Sequence, residues 1–113
     1  MMLLKPKTMF DGKVLTVYLS GDIDHHSARR IREYTDALIG ELKPVRLLLN
    51  YSAVSFMDSS GIGLIMGRYR MMKLYGGSVS VVSIPPALRK MMELSGLGCL
   101  DVLEGGNEEN ESA

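Results

Sequence analysis

Three short apolar runs, separated by segments long enough to form helices, constrain the fold of this chain most strongly. The runs are VLTVYLS at 14–20, VRLLLN at 45–50 and SVSVVS at 78–83. Their β-branched and aliphatic residues are typical of strands, and the continuously apolar second run is typical of a buried one. When strands and helices alternate along a chain, the strands usually form a largely parallel sheet and the helices pack against it. The pattern therefore predicts an α/β fold.

The first run belongs to a predicted N-terminal β-hairpin. Asp11-Gly12 is a tight-turn pair within TMFDGKVLTVYLSG, and Gly21 is expected to end the second strand. The hairpin is antiparallel and the later strands are expected to be parallel, so the sheet should be mixed. The segment CLDVLE at 99–104 is predicted to add a final edge strand.

Three helices are predicted between and after these strands. The first follows Asp24, which can cap it, with Ser27 as the alternative cap. The second spans about 59–74 and stops at Gly76-Gly77, and the third starts at Pro85-Pro86 and closes at Gly96. On the first helix, periodicity predicts a buried face of Ala28, Ile31, Thr35, Leu38 and Leu42, with Arg29, Arg30, Glu33 and Asp36 pointing away.

Composition restricts the function classes. The 113 residues predict one domain over residues 1–104, followed by a disordered acidic tail, GGNEENESA, over residues 105–113. Thirteen basic residues balance thirteen acidic ones, which argues against nucleic acid as the main partner.

A single cysteine, Cys99, fits a reducing compartment and is expected to be buried. With no apolar run near the ~20 residues that span a bilayer, we expect a cytoplasmic protein without a membrane partner.

The second helix has an unusual outer face. A helical wheel places Ile62, Ile65, Met66, Tyr69 and Met72 against the sheet, and Ser60, Gly63, Leu64, Gly67, Met71 and Leu74 on the opposite side. Each interior glycine costs about 1 kcal/mol relative to alanine. The compensation would be close approach of another backbone, from either a neighbouring helix of the same chain or a partner protein.

Two serines follow the residue that should cap this helix. Asp58 can satisfy the free N–H groups, so the hydroxyls of Ser59 and Ser60 are not needed for capping. A phosphate in the first turn would suit the positive helix end, while adding about −1.5 to −2 charges to a docking face. The sequence thus allows a charge switch. The plainer interpretation is that both serines are ordinary helix-start residues.

Other candidate sites are weaker. Asp24, His25 and His26 offer metal-binding groups, as in a metal-dependent phosphoesterase family, but adjacent helical residues point in different directions. Neither a phosphate-binding loop with its lysine nor a dinucleotide-binding glycine motif is present, so we expect no enzyme activity, cofactor or metal. Arg68, Arg70 and Lys73 form a basic cluster that a solvated helix end explains best, with contact to an acidic partner surface as the alternative.

The stretch LNYSAVSFMDSSGIGLIMGRYR, with GDIDHHSA upstream and SGLG downstream, resembles the anti-sigma factor antagonists of the STAS domain family over roughly residues 8 to 104. The Asp-Ser-Ser-Gly motif carries the resemblance, and Asp-His-His before the first helix resembles the sporulation type. Many members of the wider family have aspartate in place of Asn50. The resemblance implies a mixed sheet with helices mainly on one face.

The resemblance also implies a function by partner switching. Such an antagonist binds an anti-sigma factor that is also a serine kinase, releases a sigma factor, and is inactivated by phosphorylation at the position of Ser59. A serine phosphatase of the PP2C type resets it. The residues expected to contact the partner are Asp24, His25, His26, Asp58, Ser60, Gly61, Gly63, Leu64 and Gly67. The alternatives are a STAS scaffold, a stress-response antagonist or, last, the metal-dependent phosphoesterase.

Overall fold

The predicted alternation of strands and helices is confirmed in the computed structural model, which describes residues 5–104. Residues 1–4 and the predicted acidic tail at 105–113 lie outside the described residues. The elements in chain order are β1 (Lys7–Phe10), β2 (Val14–Ile23), α1 (His25–Leu42), β3 (Arg46–Met57), α2 (Ser59–Leu74), β4 (Ser78–Val82), α3 (Pro86–Leu94) and a short 3-10 helix (Leu97–Leu100).

The four strands form one mixed sheet in the order β1-β2-β3-β4. β1 and β2 pair antiparallel as the predicted hairpin, whereas β2–β3 and β3–β4 are parallel pairs. The hairpin turn is held by the Asp11 carboxylate, whose Oδ1 accepts hydrogen bonds from the backbone N–H groups of Lys13 at 2.9 Å and Val14 at 2.7 Å. The mixed-sheet prediction is therefore confirmed.

One hydrophobic core lies between the helices and one face of the sheet. Alternate residues of the strands point into it, because successive side chains of a strand face opposite sides. The intervening residues of β2 and β3 remain half-buried or exposed. The fully buried strand and helix residues include Leu15, Val17, Leu19, Leu47, Leu49, Tyr51, Val81, Ile39, Ile65, Met72 and Met92.

The third strand is longer than predicted. The predicted strand at 45–50 is followed by the segment YSAVSFM, which continues β3 to Met57 and pairs with the end of β2, and β2 itself runs past Gly21 to Ile23. Register shifts in this part of the ladder break the simple alternation of buried and exposed side chains. Because backbone pairing with a distant strand maintains the extended conformation, the local side-chain pattern did not reveal it.

The C-terminal prediction was wrong in two respects. The segment expected to form an edge strand instead includes the end of the 3-10 helix, and only Leu103 makes an isolated parallel bridge, to Val81. Cys99 lies in this 3-10 helix and is exposed, not buried. Left-handed backbone conformations at Gly96 and Asp101 flank the 3-10 helix and interrupt an extended path.

A partly buried ion pair joins α1 to α2, and it corrects the interpretation of Arg68 as part of a solvated helix end. Arg68 is only 6% exposed, and its Nε lies 2.8 Å from Oδ1 of Asp36. Its Nη1 also donates to the Leu64 carbonyl at 3.3 Å. Burial raises the pKa of the Asp36 carboxyl, and the positive charges of Arg68 and Arg32 oppose that rise.

We expect Asp36→Asn to lower the free energy of unfolding by about 2–3 kcal/mol, because Arg68 would keep a buried charge without its partner. The loss should lie below that of a fully buried pair, since the Asp36 side chain is 32% exposed and partly screened by water. Glu33→Gln removes an exposed charge from the same helix and should stay within about 0.5 kcal/mol of the parent. Urea unfolding measures both; equal losses would contradict a specific role for the pair.

Candidate protein-docking site

The start of α1 and the start of α2 lie side by side. β2 and β3 are parallel, and their last residues, Ile23 and Met57, are paired. Each strand passes into its helix through a single aspartate, Asp24 or Asp58. The backbone N–H of Asp58 donates to the Ile23 carbonyl at 3.1 Å, which ties the two turns together. The Asp-His-His and Asp-Ser-Ser segments are therefore brought to the same edge of the sheet.

Asp24 and Ser27, considered as alternative caps of α1, act together. Oδ1 of Asp24 accepts from the backbone N–H groups of His26 at 2.9 Å and Ser27 at 3.0 Å. In return, the Ser27 hydroxyl oxygen accepts from the Asp24 backbone N–H at 2.9 Å. The N–H donors of Ser27 and His26 lower the pKa of the Asp24 carboxyl. This reciprocal arrangement is a capping box, so Asp24 has a structural role whatever else it contacts.

Asp58 caps α2 and leaves the neighbouring serine free for other roles. Its Oδ1 accepts the Ser60 backbone N–H at 2.8 Å, so a carboxylate already fills the capping position. Ser59 is the first residue of α2 and is exposed, whereas Ser60 is half-buried. The Ser59 hydroxyl thus lies on the surface at the positive end of a helix, where an added phosphate is electrostatically tolerated.

The glycines of α2 differ in what surrounds them. A Cβ on Gly61 would lie 2.2 Å from Cγ of buried Met57, so this glycine is required by packing inside the chain. A Cβ on Gly63 or on Gly67 would meet nothing within 4 Å. No neighbouring helix of the described chain therefore requires glycine at those two positions. This removes one of the two explanations that the sequence offers, close approach by a neighbouring helix of the same chain.

Leu64 does not lie on an exposed face, so that part of the wheel prediction was wrong. It is 4% exposed and belongs to the core. The reason is that α2 packs against two neighbours: Ile65 and Met72 are fully buried in the core, and Arg68 is bound to Asp36 of α1. A wheel with one buried face does not describe such a helix. Three residues assigned to the sheet side, Ile62, Met66 and Tyr69, are only half-buried.

A groove of about 480 Å³ runs between α1 and α2, and we call it the α1–α2 groove. Among the predicted partner contacts it brings together His25, Ser60, Gly63 and Gly67, with Leu64 in its wall; Asp24, His26, Asp58 and Gly61 do not line it. The sequence had not assigned Arg29 or Arg32 to a site, because only the crossing of the two helices shows that they border a groove. Its lining residues are His25, Ala28, Arg29, Arg32, Ser60, Gly63, Leu64, Gly67 and Arg68.

The histidines show no metal-binding arrangement. The His25 and His26 rings contact each other edge to face, with centroids 5.7 Å apart. Within residues 5–104, no group of three His, Cys, Asp or Glu side chains is arranged to hold a metal ion. No helix in that same part of the chain is both long and apolar enough to cross a bilayer.

Comparison with known proteins gives consistent matches. The STAS domain model matches residues 5–104. An anti-sigma F factor antagonist from Paenibacillus polymyxa is 37% identical over 84 residues, which cover 74% of this chain and 72% of the relative. An anti-sigma-B factor antagonist from Bacillus subtilis is 32% identical over 83 residues, covering 74% of each chain.

Solved structures agree with these sequence matches. The anti-sigma factor antagonist SpoIIAA in its unphosphorylated form superposes with a TM-score of 0.78 at 28% identity, covering 95% of this chain and 94% of that one. SpoIIAA of Bacillus in the phosphorylated form superposes with a TM-score of 0.70 at 28% identity, covering 95% and 97%. The likeness extends over nearly the whole chain.

The glycines of α2 should respond to alanine in opposite directions. Gly63→Ala and Gly67→Ala should each raise the free energy of unfolding by about 0.5–1 kcal/mol, because the added methyl meets no neighbour and alanine favours the helix. Gly61→Ala should lower it by about 1–3 kcal/mol, since buried Met57 must move. Thermal or urea unfolding of the three variants measures the contrast. Destabilisation by the outer two substitutions would mean that the chain itself uses those glycines.

Proposed function

The chain belongs to the STAS domain family, and from that premise we propose that it is an anti-sigma factor antagonist inactivated by phosphorylation of Ser59. Its partner is an anti-sigma factor that is also a serine kinase. The unmodified protein binds this partner and frees a sigma factor, the phosphorylated protein releases it, and a PP2C-type serine phosphatase restores the first state. Relatives named as antagonists and a similar protein solved with and without phosphate support the proposal.

The observation that carries the proposal is the exposed hydroxyl of Ser59 beside a helix face left open by two glycines. Asp58 does the capping, so modification of Ser59 removes no hydrogen bond from the start of α2. Gly63 and Gly67 leave room for another backbone on the next turns. The modified residue and the docking face therefore lie on the same helix without sharing a structural task.

A phosphate at Ser59 would oppose docking through charge. It adds about −1.5 to −2 charges, which a tightly packed interface must either desolvate or repel. A penalty of about 3–4 kcal/mol would weaken the complex by two to three powers of ten. The folded chain tolerates the same charge, because the starts of α1 and α2 lie next to each other and both present positive helix ends.

In this proposal the protein is a substrate and a regulator, not an enzyme. The kinase supplies ATP, the metal ion and the groups that activate the serine hydroxyl. The chain itself needs no cofactor, and we place its action in the cytoplasm without nucleic acid or membrane as a partner. The fixed geometry around Ser59 serves recognition, since the hydroxyl is presented at a defined position at the start of α2.

Sporulation is the proposed setting, and a stress response is the second candidate. The sigma F antagonist is 37% identical to this chain and the sigma-B antagonist 32% identical, each over about three quarters of the chain. These settings are distinguished by measuring the affinity of the protein for two purified anti-sigma factors, one specific for sigma F and one specific for sigma B. Stronger binding to the sigma-B type would favour the stress circuit.

Incubation with the anti-sigma kinase of the source organism and ATP should add one phosphate to the protein, at Ser59. Mass spectrometry of the intact protein and of its peptides measures the number and position of phosphates. Ser59→Ala should remain unmodified, while Ser60→Ala, its neighbour in α2, should still be modified. Phosphorylation of Ser59→Ala at the rate of the parent would show that the site is elsewhere.

Ser59→Asp should weaken the complex with the kinase at least tenfold while leaving the melting temperature within a few degrees, because the charge lies at a favourable helix end. Ser78→Asp is the matched control: Ser78 is exposed and pairs with Arg46 at the opposite end of the sheet. Calorimetric titration measures both affinities. Equal affinities for the two variants would remove the charge-switch argument.

A further inference from the structure

We infer that the α1–α2 groove binds an acidic segment of the anti-sigma factor, and that Arg29 and Arg32 recognise it. This inference rests on the proposed function, because it names the chemistry of the partner at the same site. It goes further by assigning the attraction to two side chains outside the Asp-Ser-Ser motif, and by predicting how the complex depends on salt.

The charges that border the groove have one sign. Arg29, Arg32 and Arg68 line it, and none of the lining residues is acidic. Asp36 also approaches Arg32, but its carboxylate is held by Arg68. Within residues 5–104, neither Arg29 nor Arg32 forms an ion pair of its own. The chain has a formal net charge of zero, so this surface is a local positive region available to a partner.

The shape of the groove favours a segment of chain over a whole domain surface. A volume of about 480 Å³ holds a few side chains. Ala28 and Leu64 contribute buried apolar walls, while Gly63 and Gly67 leave space above α2. A segment with small or aliphatic residues could therefore bring its backbone close to α2. Its aspartates or glutamates would then reach the arginines, whose planar groups bind carboxylates in pairs of hydrogen bonds.

The position of Ser59 connects this groove to the proposed switch. Ser60 borders the groove, and Ser59 is its neighbour in the chain, so a phosphate there lies within about one Debye length, ~8 Å at physiological salt, of the groove's mouth. Its charge of about −1.5 to −2 nearly cancels the two arginines. Phosphorylation would then remove an attraction as well as introduce a repulsion.

The test is charge reversal in α1. The double variant Arg29→Glu/Arg32→Glu should associate at least tenfold more slowly than the parent with the purified anti-sigma factor of the source organism at 50 mM salt. Raising the salt to 500 mM should slow the parent several-fold and not slow the variant. Arg30→Glu is the control for charge reversal on the same helix, since Arg30 is exposed but does not line the groove; the single variants Arg29→Glu and Arg32→Glu, which equal it in net charge, should each associate more slowly than it does. Stopped-flow or surface-binding kinetics measure all of these rates.

The outcomes separate the two proposals. If the double variant and the Arg30→Glu control associate equally fast with the same salt dependence, the acidic-segment inference is wrong and the antagonist proposal stands. If the parent itself does not bind the anti-sigma factor, both proposals fail. Thermal unfolding checks that the variants are folded, and Arg29→Gln/Arg32→Gln, which removes charge without reversing it, should give a smaller effect in the same direction.

Discussion

The parallel pairing of β2 with β3 determines where everything else in the site lies. The two strands stay paired to their final residues, Ile23 and Met57, although the ladder shifts register twice on the way. As a result, α1 and α2 begin next to each other, each one residue beyond its strand. Two caps, two adjacent positive helix ends and the Ser59 hydroxyl therefore occupy one edge of the sheet. This long pairing is what brings the Asp-His-His and Asp-Ser-Ser segments together.

The ion pair between Arg68 and Asp36 sets how the two helices then run together. Arg68 Nε of α2 lies 2.8 Å from Asp36 Oδ1 of α1, on the side of α2 where Leu64 is buried. Gly63, Gly67 and Arg68 all line the α1–α2 groove, and a Cβ on either glycine would meet nothing within 4 Å. Glycine at these two positions makes α2 less stable than alanine would, although packing within the described residues does not require glycine there. Such a sacrifice is typical of residues retained for function over stability.

Much of the fold could be predicted from the sequence, because hairpin, helix periodicity and apolar strands are local signals. The missed features depend on residues far apart in the chain. The end of β3 is a strand because it pairs with β2. Arg68 is buried because it binds Asp36, which lies 32 residues earlier in the chain and cannot be recognised as its partner from local pattern. Leu64 was misplaced because α2 packs against two neighbours, so no single-faced wheel fits it. The motif around Ser59 could be recognised in the sequence. That Arg29 and Arg32 border a groove could be seen only once the packing of α1 against α2 was known.

In the proposed function, one geometry explains both why the fold would tolerate a phosphate and why an interface would not. Ser59 is exposed at the positive end of the α2 dipole, so the fold can carry a negative group there without disturbing the core. Ser59 adjoins Ser60, which borders the α1–α2 groove together with Arg29 and Arg32, so the added charge lies close to the surface that the proposal assigns to the partner. A switch placed in the core would have to break the fold to act. At this helix start it changes only the charge that a partner meets, and removal of the phosphate restores the original surface.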